Sequence, residues 1–223
     1  MKKFELTAEF VTNVFGKKLF RIKALVAFGN VEKGELGGFI EKEDNLSHDG
    51  NAWVYGNARV YGDARVYGNA QVYGDAQVYG DARVYGNAQV YGDARVYGDA
   101  RVYGNAQVYG DARVSGNAQV SGDARVYGDA RVYGNAQVSG NAQVYGDADY
   151  AVVKGFGRCF RTTTFFRCKD KILRVQCGCF YGDLAQFREI VKKTHGDSKY
   201  AKEYLAIADL MELHFSDECG GEQ

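Results

Sequence analysis

The side chains able to do chemistry sit mostly in the last third of this chain. Arg158, Arg161, Thr163, Thr164, Cys179, His195, Lys199 and Tyr200 fall within one short stretch. Cationic groups interleaved with hydroxyls beside strand ends suit a small anion, because hydrogen bonds from Arg and Lys to an anionic acceptor are the strong ones. Each type also has a plainer reading. A Thr-Thr-Thr run is ordinary strand composition, a histidine just before Gly196 favours a helix dipole, and Cys177 and Cys179 alternate as small apolar residues do. Cys179 with His195 would form the one nucleophilic pair. The expectation is a ligand site made of these eight residues, with no catalytic residue, cofactor or metal.

The totals narrow the function classes. The chain has 223 residues, with 28 Lys+Arg against 28 Asp+Glu, so its formal net charge is zero. That gives no support to sequence-specific nucleic-acid binding or to a membrane-surface role. No apolar run approaches the ~18 residues a span needs, and the start "MKKFELTAEF" is not a signal peptide. Five cysteines (Cys159, Cys168, Cys177, Cys179 and Cys219) are an odd number. Without a leader they favour reduced thiols in a bacterial cytosol. Cys177 and Cys179 are one residue apart, too close for a zinc knuckle. The 29 glycines, 17 tyrosines and absence of proline point to a repeat architecture.

Three segments must position the candidate residues: a lead-in over 1–52, a repeat over 53–149 and an ordinary α+β composition over 150–223. In the repeat, valine falls at every sixth position from Val54 to Val144, giving sixteen hexads. Glycine follows two residues later, Asp or Asn three later, and alanine four later. The period fits short Arg/Gln-Val-Tyr strands with valine inward, joined by Gly-Asp/Asn-Ala corners that tolerate positive φ. Asn69, Asn87 and Asn105 recur at every third corner, as do Gln71, Gln89 and Gln107 on one face. An eighteen-residue superperiod means three hexads per turn, a triangular prism about 25 Å tall at ~4.8 Å per turn. The same spacing predicts an asparagine ladder, stacked tyrosines, and Asp/Arg pairs two residues apart that compensate their own charge.

This pattern resembles the hexapeptide repeat of left-handed parallel β-helices over residues 48–149. Enzymes of that fold imply a catalytic histidine on the coil, or three histidines around zinc. Here residues 54–147 contain no histidine, the only histidines being His48, His195 and His214. The repeat therefore reads as scaffold. Its tyrosine columns read chiefly as surface cover, with Ser115, Ser121 and Ser139 marking a packing contact with another subunit or with the C-terminal segment.

The lead-in predicts a cap of two strands, "KKFELTAEF" and "KLFRIKALVAF". The C-terminal segment predicts two strands turning at Lys169-Asp170-Lys171. A helix capped by Asp183 and ended by Gly196 follows, then a second helix through "SKYAKEYLAIADLMELHF". "KGELGGFIEKEDNLSHDGNAWVYGNA" and "VQCGCFYGDLAQF" resemble a family of phage- and prophage-encoded hexapeptide-repeat proteins. The resemblance implies a viral or prophage origin and a bacterial cytosol, but no reaction. The fold class expected is mainly β: a left-handed triangular parallel β-helix with an N-terminal β cap and a small C-terminal ββαα domain. The function expected first is non-catalytic capture of a small anionic, nucleotide-derived host molecule, sequestering a defence signal. A structural spacer or scaffold comes second, and an enzyme using the C-terminal domain third. A homo-oligomer, trimer or dimer, is expected in each case.

Overall fold

The computed structural model of the chain describes residues 1–168 and 170–216. It opens with an antiparallel hairpin, β1 (Phe4–Thr12) and β2 (Lys18–Ala24), followed by β3 (Leu36–Ile40). β3 pairs antiparallel with β2 on one edge and parallel with the coil on the other, so the cap and the first side of the prism share one sheet. The "GELGGF" motif has a steric reason. A Cβ at Gly37 would come within 2.6 Å of the Val54 carbonyl, and one at Gly38 within 2.6 Å of the Ala58 carbonyl. Only glycine lets β3 lie this close to the coil. Trp53 stands where later rungs carry outward Arg or Gln, yet the cap buries it completely, edge-on to Phe28 at 5.3 Å and to Phe4 at 6.2 Å.

Sixteen two-residue strands follow, β4 (Trp53–Val54) to β19 (Gln143–Val144), arranged as three parallel stacks. Each but the last three pairs with the strand eighteen residues on, as Gln89 does with Gln107 and Val90 with Val108. The chain is thus a three-sided parallel β-solenoid, as the superperiod requires. Every coil valine from Val54 to Val144 and every alanine from Ala52 to Ala142 is fully buried. No single hexad could bury such a column alone, so stability comes from stacking. The corner glycines carry the positive φ, between 59° and 72° from Gly56 to Gly140. The Asp and Asn beside them stay out of the left-handed region.

The columns outside the core differ in kind. Asn69 donates to Asn87 at 3.1 Å, Asn87 to Asn105 at 3.1 Å, and Asn105 to Asp123 at 2.9 Å. The ladder therefore ends where the sequence first places a carboxylate, a pure acceptor. Tyr73, Tyr91, Tyr109 and Tyr127 stack at 4.7–5.1 Å, while Tyr145 turns edge-on and Tyr55 meets Trp53 instead. The expected Asp/Arg compensation does not form: among the described residues no ion pair joins a coil aspartate to a coil arginine. Asp63 pairs instead with Lys42 of the lead-in, at 2.6 Å.

The C-terminal unit is a four-stranded antiparallel sheet, two strands more than the alternation signals: β20 (Tyr150–Phe156), β21 (Arg161–Arg167), β22 (Leu173–Cys177) and β23 (Phe180–Asp183). Two helices cover it, α1 (Leu184–His195) and α2 (Lys199–His214). Asp183 caps α1 as expected, accepting from Gln186 N at 2.8 Å. Gly196 closes that helix at φ 55°. Lys169 of the expected turn and Cys219 lie outside the described residues. Strand β21 divides its faces: Phe165 packs with Phe187 and Met211 under the helices, while Phe166 joins Tyr150 and Cys168 on the end of the coil core.

The two ends of the solenoid are finished with opposite chemistry. Within the coil each rung's N–H groups donate to the carbonyls of the next, as Gln71 N does to Ala88 O at 2.9 Å. The first rung is therefore left with carbonyls and the last with N–H groups. Donors close the first: Lys3 Nζ reaches Ala52 O at 2.9 Å and Gly50 O at 3.3 Å. Asn45 Nδ2 likewise reaches Ala64 O at 2.8 Å and Gly62 O at 3.0 Å. Acceptors close the last: Asp147 takes Arg131 N at 3.0 Å, Asp149 takes Tyr145 N at 2.9 Å, and Thr164 takes Gln137 N at 3.0 Å. At the first rung this satisfies the carbonyls of Ala52 and Ala64, which would otherwise be buried without a partner.

Candidate functional site

On the helix side of the C-terminal sheet, beyond the core residues Phe165 and Val175, the covering helices leave a cavity of about 370 Å³. Antiparallel register explains what lines it. Thr163 is opposite Cys177, so Arg161, two residues earlier, falls beside the 177–179 turn. Arg161 and Cys177 therefore project on the same side as Phe165 and Val175, closer to the open end. The loop between β20 and β21 adds Arg158 and Cys159. Helix α1 contributes Phe187, Ile190, Val191, Thr194 and His195, and α2 contributes Tyr204.

The floor is aromatic. Phe187 meets Phe180 at 5.6 Å and Tyr204 at 5.8 Å, and the His195 ring stacks on Tyr204 at 5.9 Å. Burial, and then the neighbouring Cys177 thiol, push the Tyr204 phenol up to about 12. It therefore stays protonated at neutral pH, and it donates to Phe156 O at 3.4 Å. The rim is cationic. Arg158 and Arg161 are exposed, and among the described residues neither has a hydrogen bond or an ion pair. Glu203, next to Tyr204 on α2, is already engaged by Gly157 N at 2.9 Å and Lys199 Nζ at 3.6 Å.

Four of the eight residues singled out in the sequence line this cavity: Arg158, Arg161, Cys179 and His195. Cys179 and His195 thus border the same space, with no hydrogen bond between them. The other four are placed elsewhere. Thr164 is fully buried on the opposite face of β21, where it caps the coil. Thr163 is buried and donates to Cys177 Sγ at 3.2 Å. Lys199 points to solvent beside Glu203, and Tyr200 touches His195 only edge-on, at 6.2 Å. Tyr204, Phe187 and Cys159 are lining residues that the reading of types and spacing did not single out. Tyr204 and Phe187 have the helical spacing of core positions, which conceals their second role. Among the described residues no cluster of three or more His, Cys, Asp or Glu is arranged to hold a metal ion. No helix of the described residues is long and apolar enough to cross a membrane.

Compared with protein families, the chain matches the YdcK beta solenoid repeat over residues 52–68, 58–74, 76–92, 88–104, 106–122, 118–134 and 124–140. The likeness is confined to the coil and does not reach the cavity. No curated protein matches the chain.

Proposed function

We propose that this protein is a non-catalytic binder of a small anion carrying a flat ring, with nucleotide-derived compounds the best-matched class. One observation carries the reading: two guanidinium groups without anionic partners open onto a cavity floored by Phe180, Phe187 and Tyr204. A phosphate group suits the planar fork of arginine, and a base suits the half-buried rings of Phe180 and His195, which lie over the buried Phe187 and Tyr204 and where stacking is worth about 1–3 kcal/mol. Thr194 and His195 add polar contacts at the rim. The coil then serves as the rigid body on which this unit is mounted. The resemblance of the end motifs to phage and prophage proteins extends the proposal to its setting, sequestration of a host nucleotide signal.

Native mass spectrometry of protein purified from bacteria tests the reading. A mass excess of a few hundred daltons per chain, lost on denaturation and absent from Arg158→Ala/Arg161→Ala, is the expected result. Bare protein that also shows no heat or thermal shift with adenine nucleotides would overturn it.

A further inference from the structure

We infer that the ligand extends beyond the aromatic cavity onto a carboxylate-free shelf on the coil. Its class is then an extended nucleotide: a base, a central diphosphate and a second, hydroxyl-rich sugar. This deepens the reading of the cavity given above and rests on it.

The shelf is visible as a change in the repeat. On one side of the prism the outward residues run Asp63-Arg65-Tyr67, Asp81-Arg83-Tyr85 and Asp99-Arg101-Tyr103. On the next two rungs all three columns change together, to Asn117-Gln119-Ser121 and Asn135-Gln137-Ser139. The strands remain in register, Arg101 beside Gln119 and Gln119 beside Gln137, and the valine and alanine core is unaltered. Part of the change serves packing. Ser139 Oγ donates to Gln176 Oε1 at 3.0 Å, and the Tyr181 hydroxyl occupies the space a side chain at Gly140 would need. That does not account for the amides. Among the described residues the side chains of Asn117, Asn135 and Gln137 have no hydrogen-bond partner. Gln119 only accepts from the Tyr103 hydroxyl, at 3.4 Å.

These four amides border a groove of about 300 Å³ whose other wall is Lys154, Arg161 and Thr162 of the C-terminal sheet. On each of these two rungs the change removes one carboxylate and one guanidinium, leaving a neutral amide surface with no fixed charge to repel a ligand's phosphates. Each amide offers both donors and an acceptor, the match for sugar hydroxyls. Arg161 joins the two spaces. It borders both the groove and the aromatic cavity, and its guanidinium lies over Gly178, between Cys177 and Cys179. A base in the cavity would thus place a diphosphate at Arg158, Arg161 and Lys154, and a second sugar on the amides.

Isothermal titration of the full chain with ADP and with ADP-ribose tests this, using the wild type and Asn117→Asp/Asn135→Asp. The double variant restores residues that the same column already carries at 63, 81 and 99, so the coil accommodates it. We expect ADP-ribose to bind the wild type roughly tenfold or more tighter than ADP, about 1.4 kcal/mol. The variant should lose that preference and keep its ADP affinity. If its unfolding midpoint falls, Gln137→Ala carries the same comparison. Equal affinity of the two probes, a preference that survives substitution, or equal weakening of both overturns the shelf and leaves the cavity reading standing. Binding of neither probe overturns the cavity reading itself.

Discussion

The backbone N–H of Gln137 donates to the hydroxyl of Thr164 at 3.0 Å, where one rung lower Gln119 N donates to the carbonyl of Ala136 at 2.9 Å. A side chain thus replaces the missing next rung. Thr164→Val keeps the shape and removes the acceptor, leaving a buried N–H unpaired at a cost of about 1–3 kcal/mol. Thr164→Ser should retain most of the stability. Urea unfolding of the two variants checks this, and a Val variant as stable as wild type would mean that the cap is not what closes this side.

At the other end, burial lowers the Lys3 ammonium from 10.5 to about 8. Between those values the unfolded chain binds a proton that the folded chain has released, so stability rises with pH across that window. Lys3→Met should abolish this increment and also uncap the carbonyls of Gly50 and Ala52. The expected result is a wild-type advantage that widens between pH 7.5 and pH 10. An advantage that narrows would contradict the assignment of the ammonium as a desolvated cap.

The three-sided coil was legible because the superperiod of eighteen appears in two independent columns, Asn69/Asn87/Asn105 and Gln71/Gln89/Gln107, and each rung repeats the same local physics. The ends were less legible because their residues answer to tertiary contacts. Trp53 follows the outward register and is buried only because the cap folds over it. Thr162, Thr163 and Thr164 offer no polar/apolar alternation, so nothing in the run shows that Thr164 faces the coil and Thr163 the helices. Arg161 and Cys179 meet at one cavity only through the β22–β23 turn, which alternation did not signal. Asp/Arg compensation failed for a geometric reason: spacing of two along the chain places the carboxylate at a corner and the guanidinium on a flat face, and no ion pair links them.

Cys168 seals the far end of the coil core, and burial pushes its thiol from 9 up to about 11. A raised acid keeps its proton in the folded state after the unfolded chain has lost it. Its contribution is therefore complete below pH 9 and lost as pH rises through about 11. The difference amounts to about 2–3 kcal/mol. Stability measured against Cys168→Ala between pH 8 and pH 11 should show the wild type falling relative to the variant. A constant difference would mean that the thiol titrates as if exposed, and that Phe166 and Tyr150 do not keep water from that end.

The cysteines also report on the candidate site. Cys159 and Cys179 are exposed on its wall, Cys177 is half-buried and Cys168 is buried. Alkylation by N-ethylmaleimide, followed by peptide mass mapping, should therefore modify Cys159 and Cys179 quickly and Cys168 only on unfolding. A ligand held by Arg158 and Arg161 covers the space beside both reactive thiols, since Arg161 lies over the Gly178 turn that carries Cys179. Saturating ADP-ribose should slow both reactions roughly tenfold or more, following the fraction of protein left unbound. The protection should vanish in Arg158→Ala/Arg161→Ala. Unchanged rates at Cys179, with binding confirmed by calorimetry, would move the ligand off this cavity and onto another surface. Protection of Cys179 that persists in the double arginine variant would keep the ligand at the cavity but remove the guanidinium groups as its anchors.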